Sequence, residues 1–444
     1  MPLITPVEVI PITELGPVHF IAIGGAGMSG IAAMYADLGV PVSGSDQADS
    51  DILRSLAAHG IRTYVGHQAA QLGDAQTVVI SSAVRETNVE LAEARRRGLR
   101  IWHRSAALAA LMLGHIGVSV TGTHGKTTTS AMVAHLLAAG GLDPSYVLGA
   151  RLADGQSAHL GAGQPFVIEA DESDGSYLQY PTQIAVVTNV EMDHGDNWGT
   201  EAAYRAGMEK FVTAPNVRAV VLNADDPGSA ALVTAAHRVG KQVVLFGYDS
   251  QIVPDEFELP VPGEHNLYNF AAAYAVGLLF GIEPETLLVA SHSFSPAERR
   301  FQTVGEQAGV KVVDDYAHLP TEVAATLAAA RERGEGRVVA VFQPHLFTRT
   351  QAYAAEFAQA LSEADVVVLT DVYAAREDPI AGVTGELIVK ALPPGKAAHY
   401  VPDFDALPAR VAELAQPGDL VLTIGAGSIT EIGPKLLERL GAHG

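Results

Sequence analysis

Ile116-Gly-Val-Ser-Val-Thr121 runs directly into Gly122-Thr123-His124-Gly125-Lys126-Thr127-Thr128-Thr129, and an Ala/Leu-rich stretch follows. A β-branched run that enters a Gly-Lys-Thr loop and leaves as a helix has the build of a phosphate loop in a parallel α/β sheet. The spacing is shorter than G-x-x-x-x-G-K-[ST], which needs glycine at a position held here by Val120. The physics survives the shortening. Backbone N–H groups cradle phosphate oxygens, Lys126 neutralises the β/γ oxygens, and the Thr127 hydroxyl is offered to Mg²⁺. Gly122, Thr123, His124, Gly125, Lys126, Thr127 and Thr128 are therefore expected to hold ATP.

Outward from this loop, short β-branched runs alternate with helical patterns in three successive segments, which predicts α/β units with parallel sheets. The first segment carries strands at Val18–Ile23, Val40–Ser43 and Thr77–Ser81, with helices near Ser29–Leu38, Ile52–His59 and Val89–Arg97. The second carries Ile116–Thr121, Phe166–Ala170, Ile184–Asn189 and Arg218–Leu222; the third, Val310–Asp314, Arg337–Phe342, Asp365–Leu369 and Asp419–Ile424. The restart of each pattern gives domains at 1–113, 114–297 and 298–444. The expected fold class is α/β: Rossmann-like at both ends, with a P-loop ATPase-like parallel sheet between.

A second glycine-rich loop opens the first segment. Gly25, Gly27 and Gly30, in Gly24-Gly25-Ala26-Gly27-Met28-Ser29-Gly30, form G-x-G-x-x-G between a strand and a helix. Gly25 is expected to make the tight turn, Gly27 to admit a phosphate, and Gly30 to allow close packing. Asp46 ends the next strand, where a ribose-binding carboxylate is expected. The motif fits a nucleotide ligand or a tight strand–helix turn, and does not say which nucleotide.

Carboxylates gather at two strand ends. Phe166–Ile168 runs into Glu169-Ala170-Asp171-Glu172-Ser173-Asp174, and Ile184–Thr188 into Asn189-Val190-Glu191-Met192-Asp193-His194. In a parallel sheet both ends share the carboxyl edge with the phosphate loop. Hard oxygen ligands and one imidazole there suit Mg²⁺. Glu191 and Asp193 read as helix caps or supporting groups.

Composition narrows the class. The chain has 444 residues, 28 basic against 50 acidic, and a formal charge of −22. Such a balance argues against nucleic-acid and anionic-membrane binding. No cysteine is present, which excludes disulfides, thiolate metal sites and cysteine nucleophiles. The longest apolar stretch, Phe270–Ile282, spans 13 residues and is too short to cross a bilayer. Met1–Gly16 lacks the basic region of a signal peptide. The reading is a soluble cytoplasmic protein.

The ordered set IGGAGMSG, TGTHGKTTT, IEADESDGSY, NVEMDHGD, GEHNLYN, RRFQ, DDYAHLPTE and FQPHLFTRT, from about Val18 to Ile429, resembles the Mur ligases of peptidoglycan synthesis. The shortened phosphate loop alone is shared with folylpolyglutamate synthetases. The resemblance implies a three-domain enzyme that joins L-alanine to the carboxylate of UDP-N-acetylmuramate through an acyl phosphate, with ATP and Mg²⁺. The first loop (Gly25, Ala26, Gly27, Met28, Ser29, Gly30, with Asp46) is thereby assigned to the UDP sugar. By the same resemblance Lys126 contacts the γ-phosphate and Thr127 and Glu169 bind Mg²⁺. His194 ligates a second Mg²⁺ or holds the muramoyl carboxylate region. Asn266 and Asn269 border adenine and ribose, Arg300 and Asp315 reach ATP, and Tyr316, His345 and Arg349 surround the amino acid. A monomer or weak homodimer is expected.

Two departures stand out against the family pattern. DDYGHHP becomes Asp314-Asp315-Tyr316-Ala317-His318-Leu319-Pro320, and His-Arg becomes His345-Leu346. A guanidinium missing beside the amino-acid carboxylate removes a bidentate anchor, leaving Arg349 to supply it. Two other readings share many of the motifs: a ligase joining a preformed murein tripeptide to the same sugar, and an NAD(H)-binding Rossmann protein. Trp198 reads as core packing, and Gly425-Ala426-Gly427-Ser428 as a structural turn or part of a closed cleft.

Overall fold

The computed structural model describes residues 3–152, 154–193, 195–254, 257, 259–334, 336–375 and 377–442. Its strands form three sheets, as the three α/β segments require. The first holds β1 (Val18–Ile21), β2 (Val42–Asp46), β3 (Arg62–Val65), β4 (Thr77–Ile80) and β5 (Arg100–His103) in the order β3-β2-β1-β4-β5. All its pairings are parallel. The second holds β6 (Ile116–Thr121), β7 (Ser145–Val147), β8 (Ala158–His159), β9 (Pro165–Glu169), β10 (Thr182–Val187), β11 (Ala219–Asn223) and β12 (Gln242–Phe246). Its order is β12-β11-β10-β6-β9-β7-β8, antiparallel only at β7/β8. The third holds β13 (Gln302–Gln307), β14 (Val310–Asp315), β15 (Val338–Phe342), β16 (Val366–Leu369), β17 (Ala398–Tyr400) and β18 (Leu420–Ile424). It runs β13-β14-β18-β15-β16-β17, with β13 antiparallel to β14.

Both glycine loops leave a strand where the strand order reverses: β1 lies between β2 and β4, and β6 between β10 and β9. That is where an open α/β sheet leaves a crevice for ligand. Central strands covered on both faces must be apolar throughout, and β1, β15 and β18 are buried at every position.

The chain divides into two compact units, Met1–Glu258 with Tyr268–Phe294, and Leu259–Leu267 with Ser295–Gly444. The first two sheets share a unit because the helix Arg104–Leu111, buried from Ser105 to Leu111, packs into one apolar cluster with residues of both. A helix apolar on every face has to be covered all round. Tyr35 donates to the carbonyl of Ala107 at 2.8 Å, fixing this helix against the first-loop helix, Ala26–Asp37. Among the described residues no helix is long and apolar enough to cross a membrane.

The helix after the first loop begins at Ala26, three residues before the expected Ser29. The turn is made by Ala22, whose φ is +63°, while the N-cap Gly25 is extended at φ −63°. Gly27 and Met28 consequently lie in the first helical turn, where the Met28 N–H donates to the Gly25 carbonyl at 2.9 Å.

Candidate active site

Gly122 (φ +133°) and Gly125 (φ +79°) adopt backbone that side chains rarely take, and Gly125 caps the helix Lys126–Ala139. The segment after β10 braces this loop. Asn189 accepts from the His124 N–H at 2.9 Å and donates to the His124 ring at 2.9 Å. Thr123 donates to the Glu191 carbonyl at 2.7 Å and accepts from the Glu191 N–H at 2.9 Å. Glu191, expected as a cap or supporting group, thus supports the loop through its backbone. The Thr129 hydroxyl donates to Asn269 Oδ1 at 3.1 Å, and a Cβ on Gly125 would come within 2.5 Å of that oxygen. Asn269 therefore stands at the phosphate loop. Asn266, on the same helix, donates to the Pro262 carbonyl at 2.6 Å.

Lys126 folds back over its own loop. Its Nζ donates to the carbonyls of Gly122 (2.6 Å) and Thr123 (3.0 Å) and lies 3.1 Å from a Glu172 oxygen. Burial works against the ammonium, yet Glu172, Asp171 and Glu169 raise Lys126 above its ordinary range, so it stays cationic. Burial, helped by Asp171 and opposed by Lys126, lifts the Glu172 carboxyl to about 8. Burial also works to raise Asp171, but Arg104 and Lys126 beside it hold it below the usual carboxylate range.

A cavity of about 310 Å³ lies beside the first loop, lined by Gly25, Gly27, Met28, Arg104, Glu169 and Asp171 among others. The cluster after β9 thus faces both loops. Glu169 and Asp171 line the cavity under the first, and Glu172 pairs with the lysine of the second. Asp46 stands at the first loop, where its Oδ2 accepts the Gly24 N–H at 2.9 Å. Gly30 permits close packing as expected, but against β8 of the second sheet, where its Cβ would meet Ala158 at 2.6 Å.

Mg²⁺ commonly takes one or two protein oxygens and completes its shell with phosphate and water. Thr127, buried at the loop, and Glu169, whose Oε2 also accepts the Gly149 N–H at 2.9 Å, fit that donor set. Among the described residues no group of three or more His, Asp or Glu is arranged to hold a metal. His194 lies outside the described residues.

In the other unit, the guanidinium groups of Arg299 and Arg300 lie 4.9 and 5.2 Å from the Tyr316 ring. Beyond Tyr316 the rings of His318 (5.4 Å), His345 (6.0 Å) and Tyr373 (5.8 Å, stacked) follow in series. Arg349, buried, donates to His345 Nδ1 at 3.3 Å. Tyr316, His345 and Arg349 are therefore together. Leu346 sits among them at φ +71°, a conformation costly for leucine that only a fixed surrounding sustains. Asp315 accepts from the N–H groups of Phe301 (2.8 Å) and Ala317 (2.9 Å) and the Thr326 hydroxyl (3.0 Å), so both its oxygens already bind inside the unit. Burial raises its carboxyl, against the pull of Arg300. Arg299 has no role from the sequence; it ties Asp314 (2.9 Å) to the Gly425 carbonyl (2.5 Å) and so anchors the start of the Gly425–Ser428 segment.

Arg104, Glu172 as the lysine's partner, Asn189 and Tyr373 were not assigned from sequence. The DES run and the asparagine after β10 were visible, but nothing in sequence joins Arg104 or Tyr373 to a motif. Trp198 is core, as expected: it is buried, donates to the Glu172 carbonyl at 2.9 Å, and stacks edge-on with Tyr177 and Tyr204.

Comparison with known proteins places these features. Residues 17–115 match the Mur ligase family catalytic domain, 120–277 the Mur ligase middle domain, and 299–427 the Mur ligase glutamate ligase domain. A UDP-N-acetylmuramate–L-alanine ligase of Cutibacterium acnes is 55% identical, covering 98% of each chain. The enzyme of the same name from Kineococcus radiotolerans is 50% identical over 97% of each. The crystal structure of the UDP-N-acetylmuramate–alanine ligase of Thermotoga maritima superposes with a TM-score of 0.79 at 29% identity, covering 96% of this chain and 100% of that one. A murein peptide ligase from Psychrobacter arcticus shares the fold, with a TM-score of 0.68 at 22% identity, covering 96% of this chain and 99% of that one. With three domain matches in order and relatives at half identity over nearly its whole length, the chain belongs to the Mur ligase family.

Proposed function

We propose that this chain is the ATP-dependent ligase that joins L-alanine to the carboxylate of UDP-N-acetylmuramate in peptidoglycan precursor synthesis, giving ADP and phosphate. One observation carries the reading. A single run after β9 faces both phosphate loops within one compact unit, so an acid held by the first loop lies beside a nucleotide held by the second. On this reading the UDP-sugar domain is 1–113, the ATP domain 114–297 and the amino-acid domain 298–444. All three substrates are small and soluble, which suits a cytoplasmic enzyme working as a monomer or weak homodimer.

A carboxylate is a poor acyl donor because its leaving group would be oxide. Transfer of the γ-phosphoryl makes an acyl phosphate, and the alanine amine displaces phosphate from it. Lys126 leaves its own carbonyls and Glu172 to reach the γ-phosphate. Thr127 and Glu169 would hold Mg²⁺, which would supply neutralisation of the phosphate charge that otherwise repels the incoming carboxylate. Asn266 and Asn269 border the adenine and ribose, and the first loop with Asp46 takes the UDP. Arg300 reaches ATP, and Asp315 holds the turn that carries Arg300. His194 is assigned to a second Mg²⁺ or the muramoyl carboxylate region. Tyr316, His345 and Arg349 take the amino acid, with Arg349 as the carboxylate anchor and Leu346 leaving it a single guanidinium. The amine proton goes to His345 or His194 in preference to Asp315, whose oxygens are occupied.

The test is phosphate release from ATP and Mg²⁺ with UDP-N-acetylmuramate and, in turn, L-alanine, glycine, L-serine or the murein tripeptide. Alanine-dependent release is expected. Release with the tripeptide alone assigns the chain to the murein peptide branch, and no release with any acceptor, together with tight NADH binding, overturns the ligase reading.

A further inference from the structure

Two carboxylates and one guanidinium are the ionic groups on the wall of the cavity beside the first loop: Glu169, Asp171 and Arg104. A nucleoside diphosphate adds at least two negative charges to a wall that is already negative on balance, in a chain carrying −22 overall. Backbone N–H groups supply dipoles but no counter-charge. Arg104 is the cation placed to supply it. As the first residue of the buried helix Arg104–Leu111, it has a fixed origin. Its Nη1 lies against Gly27, where a Cβ would stand 3.4 Å away, so the guanidinium borders the first turn of the loop helix. Nη2 approaches Asp171 Oδ2 at 3.5 Å. That is an ion pair, but it is longer than the 2.7–2.9 Å or so of a charge-assisted hydrogen bond, and it is not a fork-to-fork pair. The planar donor set that matches phosphate is therefore not consumed by Asp171.

We infer that Arg104 binds the diphosphate of the UDP sugar, in competition with Asp171 as its internal counter-ion. This rests on the assignment of the first loop to the UDP sugar. The guanidinium borders the phosphate site beside the first turn of the Ala26–Asp37 helix.

The test uses the full-length enzyme, its Arg104→Gln and Arg104→Lys variants, and two readouts: calorimetric titration with UDP and steady-state phosphate release. For Arg104→Gln, UDP affinity is expected to fall on the order of 10–100-fold, the worth of one charge-assisted contact. KM for UDP-N-acetylmuramate should rise in parallel, with kcat at saturation and KM for ATP preserved. Arg104→Lys, which keeps the charge but not the fork, should fall between. Unchanged UDP affinity with a raised KM for the full sugar nucleotide overturns the diphosphate assignment, because the guanidinium then serves another part of the substrate. Unchanged values in both assays overturn the proposal and leave Arg104 as a structural partner of Asp171. If Arg104→Gln melts early, Arg104→Lys decides: wild-type UDP affinity in that variant overturns the proposal. Wild-type enzyme that binds UDP but turns over no UDP-N-acetylmuramate would undo the ligase reading and leave the Arg104 result standing.

Discussion

The two glycine loops share one plan and solve the same electrostatic problem differently. Each leaves a central strand at a reversal of strand order and enters a helix of 12 or 14 residues. The second loop carries its cation within the motif, as Lys126, and spends two left-handed glycines, Gly122 and Gly125, on wrapping backbone around the phosphate position. The first makes its turn at Ala22, keeps Gly25 extended, and borders a guanidinium that belongs to a helix nearly eighty positions downstream. On the proposed assignment the second loop serves the phosphate that reacts, and the first, bordered by Arg104, a phosphate that is only held. Substitutions at the two loops should then separate cleanly.

The largest effect should come from Lys126→Ala. Removing the lysine proposed to reach the transferring phosphoryl is expected to lower kcat on the order of 10³-fold, while calorimetric UDP affinity stays at the wild-type value. Equal loss of both would mean that the loops are one site. Next come the glycines. Gly125→Ala puts a Cβ 2.5 Å from Asn269 Oδ1 at a φ of +79°, combining a clash with left-handed strain. A loss of about 2 kcal/mol or more in urea unfolding is expected, with weakened ATP binding. Gly27→Ala meets Arg104 Nη1 at 3.4 Å in ordinary helical backbone, and a flexible guanidinium can give way. Here stability should stay within about 0.5 kcal/mol of wild type, with weaker UDP binding and unaltered KM for ATP. Equal destabilisation by the two alanines would erase the distinction between the loops.

The same contrast explains what the sequence disclosed. Covered strands such as Ile116–Thr121 and Val310–Asp315 announce themselves as apolar runs because both faces are buried. The edge strands Arg62–Val65, Gln242–Phe246 and Gln302–Gln307 do not, since partial exposure lets arginine, glutamine and glutamate into them. The antiparallel β13/β14 pair went unread for that reason. At the site, the Gly-Lys-Thr loop is legible because its whole chemistry lies within eight residues. Glu172 was visible as a carboxylate but not as the partner of Lys126, a contact made only when β9 is laid beside β6. Arg104 was invisible because it sits at the head of a helix that reads simply as Arg-Ser-Ala-Ala-Leu. Asn269 came from family resemblance alone, and the contact with Thr129 gives it a physical reason.

The smallest expected effect is a pH dependence confined to the first loop's support. His103 ends β5 and caps the helix that begins with Arg104: its Nδ1 accepts from the Ser105 N–H at 3.3 Å. The Ser82 hydroxyl donates to Asp174 at 2.9 Å, so at 3.1 Å it must accept from His103 Nε2, which places the ring proton there. The groups facing this ring are Arg104, Asp174 and Asp171. Burial, reinforced by Arg104 and opposed by the two carboxylates, lowers its pKa from 6.5 to about 4. As pH falls below 6.5 the unfolded chain takes up a proton that the folded one refuses, so stability drops between pH 6.5 and about 4. Above 6.5 both states are neutral and the term vanishes. In His103→Asn the amide can cap the helix but cannot titrate. Urea unfolding at pH 8, 6 and 5 should then show the variant losing less stability on acidification than wild type, with similar stability at pH 8. UDP affinity should be less acid-sensitive in the variant, because the helix that presents Arg104 keeps its cap. Parallel stability slopes in the two proteins would show that His103 does not carry the acid response, and an equal acid effect on ATP binding would show that it is not local to the first loop.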